Sequence, residues 1–126
     1  MSEINKNILL VRPLMNSTPD FNESELWTVS DTLKQRYGHE VDIEIADAEL
    51  RLDPHSSTLT SCPVLFWRDD KGTSFVISKL GDRRYRGQFF YRVHQQFGTG
   101  IDEFENLAEC TVTLLQVQAD HAAQQE

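Results

Sequence analysis

Beyond Arg92 the chain carries no lysine or arginine, and its 126 residues include only two cysteines, four prolines and six glycines. Each scarcity removes a class of protein. Cys62 and Cys110 are too few for a disulfide-stapled secreted scaffold and lack the spacing of paired zinc ligands, so both read as free, partly buried thiols. Glycine and proline are too sparse for a collagen-like or linker chain, and no internal repeat or low-complexity tract occurs. Apolar runs are short as well. A membrane helix needs about 20 such residues, and the longest candidates, residues 8–11 and 64–67, have four each. Met1, Ser2 and Glu3 supply neither the basic nor the apolar segment of a secretory leader, which makes the cytoplasm the expected compartment and a membrane an unexpected partner.

What is present suffices for one core. An apolar fraction of 39% with 10% aromatic residues predicts a single domain over residues 1–126, fraying at 1–6 and 121–126. Charge is zoned along the chain. Residues 1–60 hold eleven acids and five bases (−6), residues 61–100 three acids and seven bases (+4), and residues 101–126 six acids and no base (−6). A patch of one sign on a body of the other concentrates its field locally, which concerns partners rather than fold.

Local patterns predict an α+β domain. Residues 8–14 (ILLVRPL) read as a strand ended by Pro13. Asn22 or Ser24 then caps a helix in which Leu26, Val29, Leu33 and Tyr37 recur at helical spacing before Gly38 closes it. In residues 40–45 acids alternate with β-branched residues, as in a strand with one wet face, and residues 47–61 read as loop. Residues 62–68 and 73–80 flank Asp69, Asp70, Lys71 and Gly72 as a hairpin, its first arm covered on both faces because Val64, Leu65, Phe66 and Trp67 are consecutive. A last helix is expected along the stripe Ile101, Phe104, Leu107, Ala108, Val112, Leu115 and Ala119. The order β-α-β-hairpin or meander-α predicts helices packed on one face of a mixed or antiparallel sheet. In element order alone it also resembles thioredoxin-like α/β domains, with Pro63 opening the third strand where those proteins place a cis proline. That resemblance implies no thiol chemistry, because the CxxC expected after the first strand is missing.

Residues 83–97 decide the functional reading. With period two, Tyr85, Gly87, Phe89, Tyr91 and Val93 face one way, and Arg84, Arg86, Gln88, Arg92 and His94 the other. With period 3.6, Tyr85, Phe89, Phe90, Val93 and Phe97 form a stripe and the arginines scatter. Aromatic and β-branched enrichment favours the strand. The candidate binding set is therefore Arg83, Arg84, Arg86, Gln88, Phe90, Arg92 and His94. Cations beside Phe90 suit phosphates and unpaired bases, but a pI near 4.9 is wrong for a dedicated nucleic-acid binder. The acidic strand could instead lie beside this one and satisfy it by charge pairs.

Other constellations are weaker. Carboxylates at Glu40, Asp42 and Glu44, with Asp47 and Glu49 beyond, could hold a hard cation or act as an acid and base pair, but acids on an outer strand more simply discourage edge pairing. His39, His55, His94 and His121 are dispersed, Cys62 opens an apolar strand that would suppress a thiolate, and no phosphate-loop pattern occurs. No catalytic residue, metal site or cofactor is expected. The reading is a small regulatory or binding protein acting through a protein partner or self-association, with a single-strand nucleic-acid binder and an enzyme of unrecognised site as rivals.

Overall fold

The computed structural model describes residues 15–92 and 95–124. The strand expected at residues 8–14 and the site candidate His94 lie outside the described residues. Elements run in the order β1 (Met15–Ser17), α1 (Glu23–Tyr37), β2 (Glu44–Leu50), β3 (Leu59–Arg68), β4 (Ser74–Gly81), β5 (Arg84–Phe90), β6 (Gln96–Gly98) and α2 (Leu107–Gln124). Among the described residues, two helices and a mainly antiparallel open sheet make a small α+β domain.

Local chemistry sets the boundaries. Asn22 and Glu25 form a reciprocal capping box, each side chain accepting from the other's backbone N–H at 2.8 Å. Gly38, at φ 79°, ends α1 by returning its N–H to Lys34 O at 2.8 Å. Asp69 organises the β3–β4 turn: its Oδ1 accepts from Lys71 and Thr73 N–H, both at 2.9 Å, while Gly72 takes φ 86°.

Register fixes the sheet. β3 is central, because residues 60 and 61 pair with both β1 and β2 while residues 64–66 pair with both β2 and β4. β1 and β4 therefore divide one edge of β3, and β2 takes the other. The β1 pairing is parallel and three residues long; the remaining pairings are antiparallel. Asp69 N–H bonds Thr73 O and Thr18 N–H bonds Ser61 O, so odd residues of β3 aim their backbone groups at the β1/β4 edge. Pro63, which has no N–H, falls between the ends of the β1 and β4 ladders. A proline mid-way along a central strand is tolerated there because the position has no ladder bond to lose. No described peptide bond is cis, and Pro63 is the fifth residue of β3 and not at its start, so the thioredoxin-like alternative gains no support.

One sheet face forms the core. Leu65, Trp67, Phe75, Ile77, Tyr85 and Phe89 meet Val29 and Leu33 of α1 and Leu107, Cys110, Leu114 and Leu115 of α2. Trp67 stacks on Phe75 at 5.3 Å between centroids. Gly87 lets α2 come close, since a Cβ there would lie 3.3 Å from Leu114 Cδ2 and 3.5 Å from Cys110 Sγ. Lys79 also lies on this face, buried against Glu25 at 2.8 Å and bonded to Asp20 O at 3.0 Å, while Tyr85 donates its hydroxyl hydrogen to the same carboxylate.

Several boundaries differ from the sequence-based expectations: β3 starts at Leu59, within the expected loop, and β5 ends at Phe90, short of Arg92. β2 lies at Glu44–Leu50, not 40–45, and so occupies part of the expected loop. It pairs with β3 and leaves β5 to other counter-charges. α2 begins at Leu107, where Asn106 Oδ1 accepts from Glu109 N–H at 2.9 Å; Ile101 and Val112 of the expected stripe are 48% and 55% exposed, and Cys110, Thr111 and Leu114 take the buried positions. Phe104 is buried, but in a backbone bridge to Tyr85 with bonds of 2.8 and 2.9 Å rather than in a helix. At the other end α2 continues through His121, whose Nδ1 lies 2.9 Å from the Tyr91 hydroxyl.

Candidate functional site

Strand β5 alternates as a half-buried strand must. Tyr85, Gly87 and Phe89 are buried in the core, while Arg84, Arg86, Gln88 and Phe90 project from the opposite face. The structure thus brings four of the candidates together. Arg83 does not join them: it sits in the β4–β5 turn at φ 56°, a left-handed conformation next to a register shift at residues 79–81. Arg92 lies beyond the end of β5 and is exposed.

The counter-charges for the arginines come from the segment before α2. Because Phe104 bridges Tyr85 on the edge of β5 away from β4, the two residues before it run alongside Arg84 and Arg86. Glu103 grips Arg84 by two bonds of 2.8 Å, and Asp102 O accepts from Arg86 Nε at 3.3 Å. The hydrogen bond from Arg84 is the main reason that the Glu103 carboxyl lies below its ordinary range, with the charges of Arg84 and Arg86 adding to it against partial burial. The same bond raises the Arg84 pKa. Arg84 is therefore a neutralised cation, and the net basic character of the face shifts away from it.

The shift leads to residues not singled out from the sequence. Register aligns Phe66, Val76 and Gln88 in one cross-strand row, and Arg68, Ser74 and Phe90 in the next. The Phe66 and Phe90 rings approach to 6.4 Å above β4, and the Arg68 guanidinium lies 5.9 Å from the Phe66 centroid. Arg68 Nε also reaches Ser74 Oγ at 3.4 Å. Ser74 is only 4% exposed, since the larger side chains on both sides shelter it. Phe66, Val76, Arg86, Gln88 and Phe90 are half-buried and Arg68 is exposed; neither described helix packs on this face. Toward the β1 end the face closes, with Cys62, Val64 and Ser78 buried and Thr18 Oγ1 3.7 Å from Cys62 Sγ. A usable signal lay in the hairpin: once Asp69 and Gly72 define the turn, Arg68 must oppose Ser74 and Phe66 must oppose Val76.

A second concavity, a cleft of about 560 Å³, opens where β2 and β3 part. Their ladder ends at Glu44 and Phe66, and the chain upstream climbs to α1. Tyr37, Trp67, Asp42, Asp69 and Asp70 are among its lining residues. Burial raises the Tyr37 pKa, outweighing the opposing effects of Trp67 and Arg36, and the charges of Asp69 and Asp70 add to it. Trp67 Nε1 is buried without a hydrogen-bond partner of good geometry.

Cys110 is buried and its pKa is pushed up to about 12, chiefly by burial, which keeps it a thiol. Among the described residues no group of three or more His, Cys, Asp or Glu side chains could hold a metal ion, and no helix is long and apolar enough to cross a membrane. Comparisons with protein-family models, curated proteins and solved structures find no match.

Proposed function

We propose that the chain is a small binding module that docks an acidic, apolar-bearing segment of a partner protein on the open face of its sheet. The observation that carries this reading is the half-exposed cluster of Phe66, Val76 and Phe90, flanked by Arg68 and Arg86 and covered by neither described helix. Apolar surface rimmed by cations gives a partner both a buried centre and an orienting charge. Arg84, held by Glu103, positions the rim rather than supplying free charge.

A second reading, single-stranded nucleic acid, is favoured by the Phe66 and Phe90 pair beside Arg68, because adjacent rings can stack successive bases while a cation meets phosphate. Titration by nuclear magnetic resonance separates the two. A capped peptide alternating Glu with Phe and Leu should shift the amides of Val76, Gln88 and Phe90, and the double change Arg68→Glu/Arg86→Glu should abolish the shifts. An oligothymidylate that moves the Phe66 and Phe90 ring signals more strongly than the peptide would establish the nucleic-acid reading instead. Shifts confined to residues outside the face under both probes would remove the site altogether.

A further inference from the structure

We infer that the outer edge of β2 is a docking edge for an extended basic segment, which adds to the sheet as a further strand. This surface is separate from the face formed by Phe66, Val76 and Phe90 and stands or falls independently of it.

Successive residues of a strand aim their backbone groups at opposite edges. Odd residues of β3 aim at β1 and β4, so even residues aim at β2. The unbroken register of Glu44 with Phe66, Ala46 with Val64, Ala48 with Cys62 and Leu50 with Thr60 makes these the hydrogen-bonded pairs. Ile45, Asp47 and Glu49 consequently point their N–H and C=O groups outward, and among the described residues none of these six groups has a partner. Glu44, Ile45, Ala46 and Asp47 are all exposed. The opposite end of the sheet carries only the three-residue β6, so β2 is the long edge. An open ladder of this length is the feature that strand addition uses.

Charge selects the occupant. Between Arg36 and Arg51 the chain holds five acids, Glu40, Asp42, Glu44, Asp47 and Glu49, and no lysine or arginine. A second copy pairing edge to edge would bring six carboxylates, Glu44, Asp47 and Glu49 from each copy, into two adjacent strands, an arrangement that like-charge repulsion opposes. A neutral strand gains nothing from them. A basic strand is matched, and the match has a pattern. Ile45 pairs with Leu65 of the core and shares its face, yet remains 57% exposed because β2 extends past the helical cover. Asp47 and Glu49 share that face. The fitting segment places an apolar side chain beside Ile45 and a lysine or arginine beside each of Asp47 and Glu49.

The probe is a capped peptide, Thr-Lys-Thr-Lys-Thr-Val-Thr, with the glutamate version as control, and the readout is amide hydrogen exchange. In the free chain Ala46 and Ala48 should exchange slowly and Ile45, Asp47 and Glu49 fast. Saturation with the lysine peptide should slow those three by about tenfold or more, as a new ladder does, with the effect fading as salt rises. Asp47→Pro removes one outward N–H and no ladder bond, so it should fold and lose the peptide. Should that variant unfold, Asp47→Lys/Glu49→Lys serves instead and should exchange the preference from the lysine to the glutamate peptide. Equal protection by both peptides, protection by neither, or slow exchange at Ile45, Asp47 and Glu49 before any peptide is added would each overturn the assignment.

Discussion

Replacing Lys79 by methionine should cost about 2–4 kcal/mol, and the structure says why the loss is neither smaller nor larger. The side chains of Lys79 and Glu25 are 7% and 12% exposed and meet at 2.8 Å. Removing one member of a buried pair typically costs about 3–5 kcal/mol, because the other charge stays desolvated. Here Glu25 retains the Asn22 N–H and the Tyr85 hydroxyl, which lowers the expectation. Glu25→Gln takes the counter-charge from the ammonium in turn, leaving it neutral acceptors, the position-25 amide oxygen and Asp20 O at 3.0 Å, and the Phe21 ring at 5.8 Å. The two single losses should not add: a double-mutant cycle by urea unfolding at pH 7 should show coupling of about 1–3 kcal/mol.

The same network has a pH signature. Burial raises the Glu25 pKa, but the bonds from Lys79, Tyr85 and Asn22 and the charge of Lys79 outweigh it, and the net shift from 4.5 is downward. A carboxyl depressed in the folded state stabilises fully above its unfolded pKa, and the contribution disappears as pH falls through the folded one. The native chain should therefore lose stability on acidification below about pH 4.5, and Glu25→Gln should lose less over that range. Parallel acid limbs for the two chains, or a Lys79→Met cost under about 1 kcal/mol, would refute the buried-pair reasoning.

Gly87→Ala should destabilise by about 1–3 kcal/mol in thermal or urea unfolding, because its Cβ would press on Leu114 at 3.3 Å; a neutral result would mean that α2 can retreat from β5. Glu103→Gln should change stability by at most about 1 kcal/mol, since the pair is exposed, yet the released Arg84 should strengthen heparin or acidic-peptide binding by about two- to fivefold at low salt. Unchanged binding in a salt series would show that Arg84 contributes nothing to the face. Trp67→Phe retains the stack on Phe75 and removes the unpartnered N–H, whose burial costs about 1–3 kcal/mol, so it should fall within roughly 1.5 kcal/mol of the native chain. Trp67→Ala should lose about 3–5 kcal/mol.

Wherever the determinant is a few neighbouring residues, the sequence is readable. Asn22, Glu25 and Gly38 delimit α1 because their chemistry is local, and Asp69 with Gly72 announces the hairpin for the same reason. β2 is displaced because alternation reports a wet and a dry face without reporting where pairing starts. Between Gly38 and Glu44 the chain must still cross from the helical layer to the sheet, so the alternating residues 40–43 are spent on that passage. α2 misleads differently: Ile101 and Phe104 fall at helical spacing from Leu107, but Phe104 uses its backbone to bridge Tyr85. The local signal that outranks the stripe is Asn106 with Glu109 three residues on, a cap that ends the loop and starts the helix.

The site shows what one-dimensional charge zoning can and cannot carry. Alternation in β5 correctly puts Arg84, Arg86, Gln88 and Phe90 on one face, but the neutralisation of Arg84 depends on a chain crossing at Phe104 that no spacing encodes. Once Glu103 reaches Arg84, one acidic zone is folded onto the basic one and the free cationic surface moves toward Arg68. Of the other acidic zone, Glu25 meets Lys79 at 2.8 Å, while β2 is separated from β5 by β3 and β4, three steps of about 4.8 Å or ~14 Å in all. That exceeds the Debye length of about 8 Å at physiological salt. Arg84 and Arg86 on β5 are therefore screened from the acids of β2, whereas Arg68 on β3 lines one cleft with Asp42 and Glu44, so a charge change at Glu44 should alter the salt dependence of binding at Arg68 and leave that at Arg86 intact.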